Sequence, residues 1–379
     1  MDFRLTEEQE ALRDSVREFA REQVAPIIAE HYEHKTFPYD LVRQMGKMGL
    51  FGLPFPEEYG GMGGDYFALC LALEELARVD SSVAVTLEAG ISLGAMPIYR
   101  FGTDEQKAMW LPRLTSGEAL AAFGLTEPGS GSDAAAITTR AELDPDTDEW
   151  VINGAKAFIT NSGTDITCLV TVMARTGPEE LSTIIVPSGT PGFTVAPGYS
   201  KVGWCASDTH ELAFDDVRVP AANLLGERGR GLAQFLRTLD EGRIAIAALS
   251  VGLAQGCVDE SVAYALQRRA FGRSIGDFQA VQFLIADMEL RAHTARLGYY
   301  DAAARLVAGE DFKRYASIAK LHASNAAMEN ARWATQVHGG YGFMNESAVG
   351  RFYRDAKILE VGEGTSEVQR MLIARSLGL

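Results

Sequence analysis

Cysteine is scarce and scattered in this chain: Cys70, Cys168, Cys205 and Cys257 stand far apart, with no Cys-x-x-Cys pair. That spacing suggests neither a disulfide framework nor a zinc site. The six histidines (His31, His34, His210, His293, His322 and His338) show no ligand spacing, so no metal is expected. Positive charge is in deficit. With 35 Lys and Arg against 51 Asp and Glu the net charge is −16, and such a surface repels nucleic acid and anionic membranes. It still admits an anionic ligand wherever basic side chains gather locally. No apolar run approaches the ~20 residues of a membrane span. The opening Met1-Asp2-Phe3-Arg4-Leu5 has neither a basic, Ser-rich presequence nor a secretory core. A cytoplasmic location is expected. Internal repeats and low-complexity tracts are missing too.

What remains is a 379-residue chain, 47% apolar and 23% charged, long enough for two or three structural units. Residues 1–118 read as helical. Leu12, Val16, Phe19 and Ala20 recur at helical spacing, and Thr6 with Gln9 forms a capping box. Breaks are predicted at Pro38, at Pro54 to Gly64 and at Pro97, with helices over Tyr66–Arg78 and Asp104–Leu114. Residues 119–230 change texture. Trp150-Val151-Ile152, Ala157–Thr160, Ile166–Met173, Ser182–Val186 and Glu211–Phe214 are short β-forming runs. Asn153-Gly154, Gly163, Gly177-Pro178 and Pro191-Gly192 separate them, which predicts a small antiparallel β domain closing near Val219-Pro220. Gly226, Gly229 and Gly231 make a hinge into residues 231–379, where long helices over Leu232–Arg268, Phe278–Ala308 and Phe312–Val337 suit a four-helix bundle.

Several motifs carry chemistry or merely shape. Glu363 lies between Gly362 and Gly364, which let backbone and ligand approach closely. A carboxylate held this way suits a general base beside a carbonyl, but from this spacing alone the ordinary loop residue is the stronger reading. Gly129 to Ala134 matches the G-x-G-x-x-G/A fingerprint, but Pro128 interrupts and no βαβ unit surrounds it. The stretch is either a plain turn or a polar loop facing an anionic or heteroaromatic ligand. Phe158-Ile159-Thr160 alone reads as a core strand, Arg268 as a helix-end cap and Lys201–Thr209 as a turn. Arg243, followed by Ile-Ala-Ile-Ala-Ala, is expected to be partly buried and to need an acceptor. His338 reads as structural.

Four stretches, in this order, resemble the acyl-CoA dehydrogenases. Phe123-Gly124-Leu125-Thr126-Glu127-Pro128-Gly129-Ser130-Gly131-Ser132-Asp133 is similar to the family's first signature, and Asn153 to Asn161 to its flavin-face strand. Arg268-Arg269-Ala270-Phe271-Gly272 resembles the flavin-contacting helix end. Arg354-Asp355-Ala356-Lys357 with Gly362 to Gln369 resembles the C-terminal signature. The similarity runs from Leu5 to Leu377. It implies an α+β fold with an N-terminal helical domain, a middle antiparallel β domain and a C-terminal four-helix bundle. It also implies FAD, and a homotetramer whose flavin site is shared between subunits.

The resemblance assigns roles residue by residue. Phe123, Leu125, Thr126, Gly131 and Ser132 would pass along the flavin ring, with Ser132 also touching the CoA ester. Phe158 would lie against the isoalloxazine where many relatives have tryptophan, keeping the stacking face without the indole donor. Ile159 would lie beside it, and Thr160 would bond the N5 side. Arg268 would reach the pyrophosphate of a flavin held mainly by the neighbouring subunit, with Phe271 and Gln279 nearby. Gln336 and Gly340 would contact the adenosine half, and Thr365 and Glu367 complete the cofactor set. Ser207, Asp240, Arg243 and Gly364 would serve the thioester. One branch of the family carries its base immediately before the arginine; here that place is Gly242, which leaves Glu363 as the base. Gly362 stands where many relatives have tyrosine, a difference on the order of 100 Å³ beside the reacting carbons. A branched or bulky acyl group would fit there, unless the neighbourhood of Glu88 fills the gap.

The implied reaction is FAD-dependent α,β-dehydrogenation of an acyl-CoA to a trans-2-enoyl-CoA, with Glu363 taking the α-proton and flavin N5 the β-hydride. It would belong to fatty-acid β-oxidation or branched-chain amino-acid breakdown, with an electron-transferring flavoprotein as acceptor. Three alternatives remain open: a dehydrogenase for carrier-protein thioesters, an acyl-CoA oxidase, and a non-catalytic flavin-binding scaffold.

Overall fold

The computed structural model describes residues 4–379; Met1, Asp2 and Phe3 of the opening segment lie outside the described residues. Helix α1 (Glu7–Phe19) begins at the expected capping box, with Gln9 N–H donating to Thr6 Oγ1 at 3.2 Å and Thr6 N–H to Gln9 Oε1 at 3.0 Å. Two amides left over at the helix start are thereby satisfied. Helices α2 (Ile28–His34), α3 (Tyr39–Lys47) and α4 (Tyr66–Ala77) follow. α5 (Ser81–Glu88) is capped by Asp80, whose Oδ1 accepts from the amides of Ser82 and Val83. The break expected at Pro97 does not occur. A π-helical stretch, Ala89–Ala95, carries α5 into α6 (Met96–Phe101), and Pro97 falls in the first turn of α6, where its missing N–H costs little. α7 (Asp104–Thr115) closes this region with a second capping box, Thr103 with Gln106.

Eight strands follow: β1 (Leu120–Gly124), β2 (Arg140–Asp144), β3 (Glu149–Thr160), β4 (Thr167–Arg175), β5 (Leu181–Pro187), β6 (Phe193–Val195), β7 (Thr209–Pro220) and β8 (Leu224–Leu225). They form one sheet in the order β6-β7-β3-β2-β4-β5-β8, with β1 on β4. The sheet is mixed where a purely antiparallel one was expected, because β1 runs parallel to β4 from Ala121–Leu169 to Gly124–Val172. The chain between these two strands is long enough to hold β2 and β3, which is what a parallel crossover needs. Asn153-Gly154 does not separate two strands either. It is an irregularity inside β3, where the register with β7 shifts. A side chain at Gly154 would meet Thr139 Oγ1 at 2.5 Å, so the strand passes there only with glycine. Nor does the sheet close at Val219-Pro220, since β8 still pairs with β5.

The remainder is helical: α8 (Gly231–Gln267), a small hairpin of β9 (Arg269–Ala270) and β10 (Arg273–Ser274), then α9 (Gln279–Val307), α10 (Lys313–His338), α11 (Ala348–Leu359) and α12 (Ser366–Ser376). Small residues let the bundle helices lie close. A side chain on Gly252 of α8 would sit 2.2 Å from the Glu74 carbonyl of α4, and Ala316, Ala319, Ala323 and Ala327 of α10 are fully buried. The expectation of no long apolar run needs correction. Ser81–Phe101 and Gly231–Gln267 are long and apolar enough to cross a membrane, yet 94% and 89% of those windows are buried in the protein's own core. The runs escape notice in sequence because charged residues such as Glu88, Asp240 and Arg243 interrupt them.

One buried carboxylate ties the three regions together. Asp355 on α11 accepts from Tyr32 Oη, Ser81 Oγ and the Trp204 amide, each at 2.7 Å. α11 and the 201–207 loop are thus fixed to the N-terminal helices, just upstream of Glu363.

Candidate active site

α11 ends at Leu359, and the chain turns sharply before α12. Glu363 takes φ +53° and Gly364 φ +96°. A non-glycine residue in that region is uncommon and mildly strained, so surrounding contacts must hold it. They do. The Gly364 carbonyl accepts from Lys320 Nζ at 2.8 Å and from Gln369 Nε2 at 2.9 Å. Thr365 caps α12 by accepting from the Val368 amide. Among the described residues the Glu363 N–H donates no hydrogen bond, which leaves it for a ligand.

The Glu363 side chain turns in toward α8. A methyl group on Gly242 would lie 2.2 Å from its Oε2. That oxygen is buried and accepts no hydrogen bond, and both carboxyl oxygens of fully buried Glu88, on α5, are in the same condition. Burial raises Glu363 to about 7, against the opposing pull of Lys320 and Arg243. Burial, then the nearby Glu363 charge, pushes Glu88 well above the usual carboxylate range. Two desolvated carboxyls facing one another cannot both ionise cheaply, so one proton is held close to neutral pH. The acceptor expected for Arg243 is Asp240, with Oδ1 2.5 Å from Nη1, while Asp240 Oδ2 lies 3.3 Å from Lys313 Nζ. Asp240 is therefore engaged by two cations of its own chain.

The residues expected at the flavin face gather along β1, β3 and the loop between. The Phe123 ring packs on Phe235 of α8 at 4.1 Å, seven residues before Gly242, or about 10 Å along the helix. The 126–132 loop is braced from beneath. Buried Lys156 donates to Glu127 Oε1 at 2.8 Å and to the Leu125 carbonyl at 3.2 Å, and the Ala157 amide donates to the Thr126 carbonyl at 2.8 Å. Gly131 and Ser132 are exposed, and nothing stands within 4 Å of a side chain built at Gly131. Phe158, at φ +60°, turns its ring outward, 66% exposed, 5.2 Å from Tyr199. Thr160 is half-buried at the strand end, whereas the Ile159 side chain lies in the β core and offers a ligand only its backbone. Ser207 is buried with an unpartnered Oγ.

A second group lies elsewhere. Arg268 caps the end of α8, Phe271 stands 94% exposed on the β9–β10 hairpin, and Gln279 opens α9. Gln336 is exposed on the last turn of α10. Arg268 and Gly340 share a cleft of about 540 Å³ with Tyr264, His338 and Tyr341. His338 is structural, bonded to the Ala334 carbonyl and stacked on Tyr264. α8 is unbroken from Gly242 to Gln267, so this group stands roughly 37 Å along the helix from Glu363. The chain does not bring the two sets together. Sequence reasoning gave no role to Lys320, Gln369 or the Lys156–Glu127 pair; the last three residues fall inside the quoted signatures, whereas Lys320 lies in none.

Comparison with known proteins agrees with this layout. The N-terminal, middle and C-terminal acyl-CoA dehydrogenase domain models match residues 6–118, 122–217 and 229–378. The chain belongs to the acyl-CoA dehydrogenase family. It is 45% identical to the short-chain specific acyl-CoA dehydrogenase of Clostridium acetobutylicum over 99% of both chains. Butyryl-CoA dehydrogenase of Megasphaera elsdenii superimposes with TM-score 0.97 at 40% identity, covering 100% of each chain. So does a chain solved in work on the electron transferring flavoprotein of Acidaminococcus fermentans, with TM-score 0.97 at 42% identity, covering 100% of this chain and 99% of that one. The chain is thus an oxidoreductase of the acyl-CoA dehydrogenase type, and FAD is its cofactor. The residues present fit FAD: an outward aromatic face at Phe158, an unobstructed glycine-rich polar loop at 129–132, and an arginine-lined cleft at Arg268.

Proposed function

We propose that this acyl-CoA dehydrogenase converts a short acyl-CoA to its trans-2-enoyl-CoA, with Glu363 as the base for the α-proton. The observation that carries the reading is the Glu363 carboxylate itself, with an unpartnered, buried Oε2 and an affinity for protons raised to about 7. A carboxylate in water is far too weak a base for an α-C–H. Desolvation strengthens it, and the idle Glu363 amide is available to bond the thioester oxygen as enolate charge develops. One such donor is typically worth ~3–4 kcal/mol in the transition state. Bound FAD supplies the acceptor for the β-hydrogen. Phe123, Thr126, Ser132, Phe158 and Thr160 would hold its ring system, and Ser207 and Arg243 would order the thioester arm.

The short-chain relatives favour a short substrate, and Gly362 leaves room for a branch. Electrons then pass to an electron-transferring flavoprotein, which the similarity to the Acidaminococcus chain supports. A homotetramer would bring the Arg268 end of one subunit to the flavin face of another. Phe283, Leu290 and Leu297, exposed at seven-residue spacing along α9, offer an apolar stripe for such contact. β-Oxidation or branched-chain breakdown in the cytoplasm suits this chemistry. The decisive experiment is Glu363→Gln. Its flavin spectrum should be retained, while bleaching by butyryl-CoA slows by at least ~10³-fold. Near-normal bleaching would remove Glu363 as the base.

A further inference from the structure

Lys320 is fully buried on α10, a place where an ammonium is costly unless it is paired. Its one hydrogen bond among the described residues goes to a neutral acceptor, the Gly364 carbonyl at 2.8 Å, and no carboxylate lies within ion-pair distance. The pinning of that carbonyl does not by itself need a charge, because Gln369 Nε2 bonds the same oxygen at 2.9 Å. What the charge faces is informative. Burial lowers the Lys320 ammonium to about 8; of the charged groups around it (Glu363 on the loop, Arg243 on α8, Glu360 at the end of α11 and Glu367 on α12), Glu363 does most to keep it protonated. The groups acting on Glu363 are Lys320, Arg243 and Glu88. Of the two cations, Arg243 is already engaged by Asp240.

We propose that Lys320 is a positioning residue for the reaction: it fixes the loop that carries Glu363 and supplies a positive charge that keeps this carboxylate ionised despite burial. Without that charge, desolvation would hold the proton on Glu363, and the base would be occupied before substrate arrived. With it, the carboxylate gives up its proton near neutral pH and remains basic enough to take one from carbon. The inference rests on Glu363 being the base.

The test is the pH dependence of anaerobic flavin reduction by butyryl-CoA in the FAD-loaded enzyme and in Lys320→Met, Lys320→Gln and Gln369→Met. Lys320→Met should move the acid limb upward by about one pH unit or more, the scale of losing one close opposite charge. At pH 7 that is roughly a fivefold slower reduction for a one-unit shift from about 7, recovered at higher pH. Gln369→Met, which loosens the same carbonyl without removing charge, should slow reduction and leave the limb in place. Lys320→Gln covers the case in which the methionine variant does not fold. A wild-type limb in either folded Lys320 variant overturns the proposal, as does failure of both to fold with FAD, which would make the lysine merely structural. Failure of the underlying reading is distinct: Glu363→Gln would then still be reduced by substrate.

Discussion

Glu363 rests its carboxylate on Gly242, so closely that a methyl group there would lie 2.2 Å from Oε2. Two segments more than a hundred residues apart meet at this contact, and the absent side chain on α8 defines where this carboxylate sits. Gly242→Ala tests the relationship. The atom that must move is the end of a flexible side chain, so the fold should survive, and alanine within a helix should raise its stability by up to ~1 kcal/mol. The carboxylate, however, must shift by about an ångström, a displacement that can cost ~10²-fold in rate. Thermal unfolding should therefore rise or hold, while flavin reduction by butyryl-CoA falls. Unchanged reduction would mean that the carboxylate works from another position.

The pH profile follows from the same group. Burial raises Glu363 from the ordinary carboxylate value of 4.5 to about 7, and in its proposed role the reacting form is the ionised one. Flavin reduction should rise with pH up to about 7 and level off above it. Stability should run the other way. A carboxyl whose affinity for protons is higher folded than unfolded contributes stability that is fully present below pH 4.5 and is lost as pH rises to about 7. Stopped-flow reduction and denaturant unfolding over pH 5–9 would show both trends; a flat rate profile would contradict them.

How far the sequence could be read depended on the range of the interactions involved. Local signals were reliable. The Thr6–Gln9 capping box is present, and α8, α9 and α10 end within one residue of the predicted limits, because helix periodicity and caps are set by neighbours in the chain. Pro97 and Asn153-Gly154 misled because a π-helical turn and a strand irregularity absorbed residues that ordinarily break elements. The parallel placement of β1 on β4 is a non-local choice with no local signature. The same limit applied at the site. Glu363 became a candidate through the family signature, whereas Lys320 is one lysine on an ordinary helix until α10 is seen to carry it to the Gly364 carbonyl. The roughly 37 Å between Glu363 and Arg268 became apparent only once α8 was a single helix.

Gly362 bears on substrate choice. A side chain built there meets only the Ile358 carbonyl at 3.4 Å and Ile358 Cγ1 at 4.0 Å, so the position tolerates substitution. Gly362→Tyr should fold and bind FAD but fill the space beside Cα and Cβ. Discrimination in an apolar pocket runs at ~10–200-fold per methylene. Bleaching by isobutyryl- and 2-methylbutyryl-CoA should therefore drop by that order relative to butyryl-CoA. Equal losses across this panel would mean that Gly362 does not border the branch.

Separation of the two candidate half-sites along α8 leads to a test of subunit sharing. Arg268→Ala removes the proposed nucleotide contact and leaves the proposed base intact; Glu363→Gln does the reverse. If each flavin site takes Arg268 from the partner subunit, a mixed pair holds one site with both groups intact and one with neither. Random reassembly of the two inactive variants should then restore roughly a quarter of wild-type activity per site, as expected for an isologous, two-fold interface. If both groups serve a site within one chain, every site in the mixture is missing one of them and no activity returns. Co-refolding at equal concentrations, followed by flavin reduction with butyryl-CoA, separates these outcomes, and the same mixture assayed at increasing dilution should lose FAD and activity together.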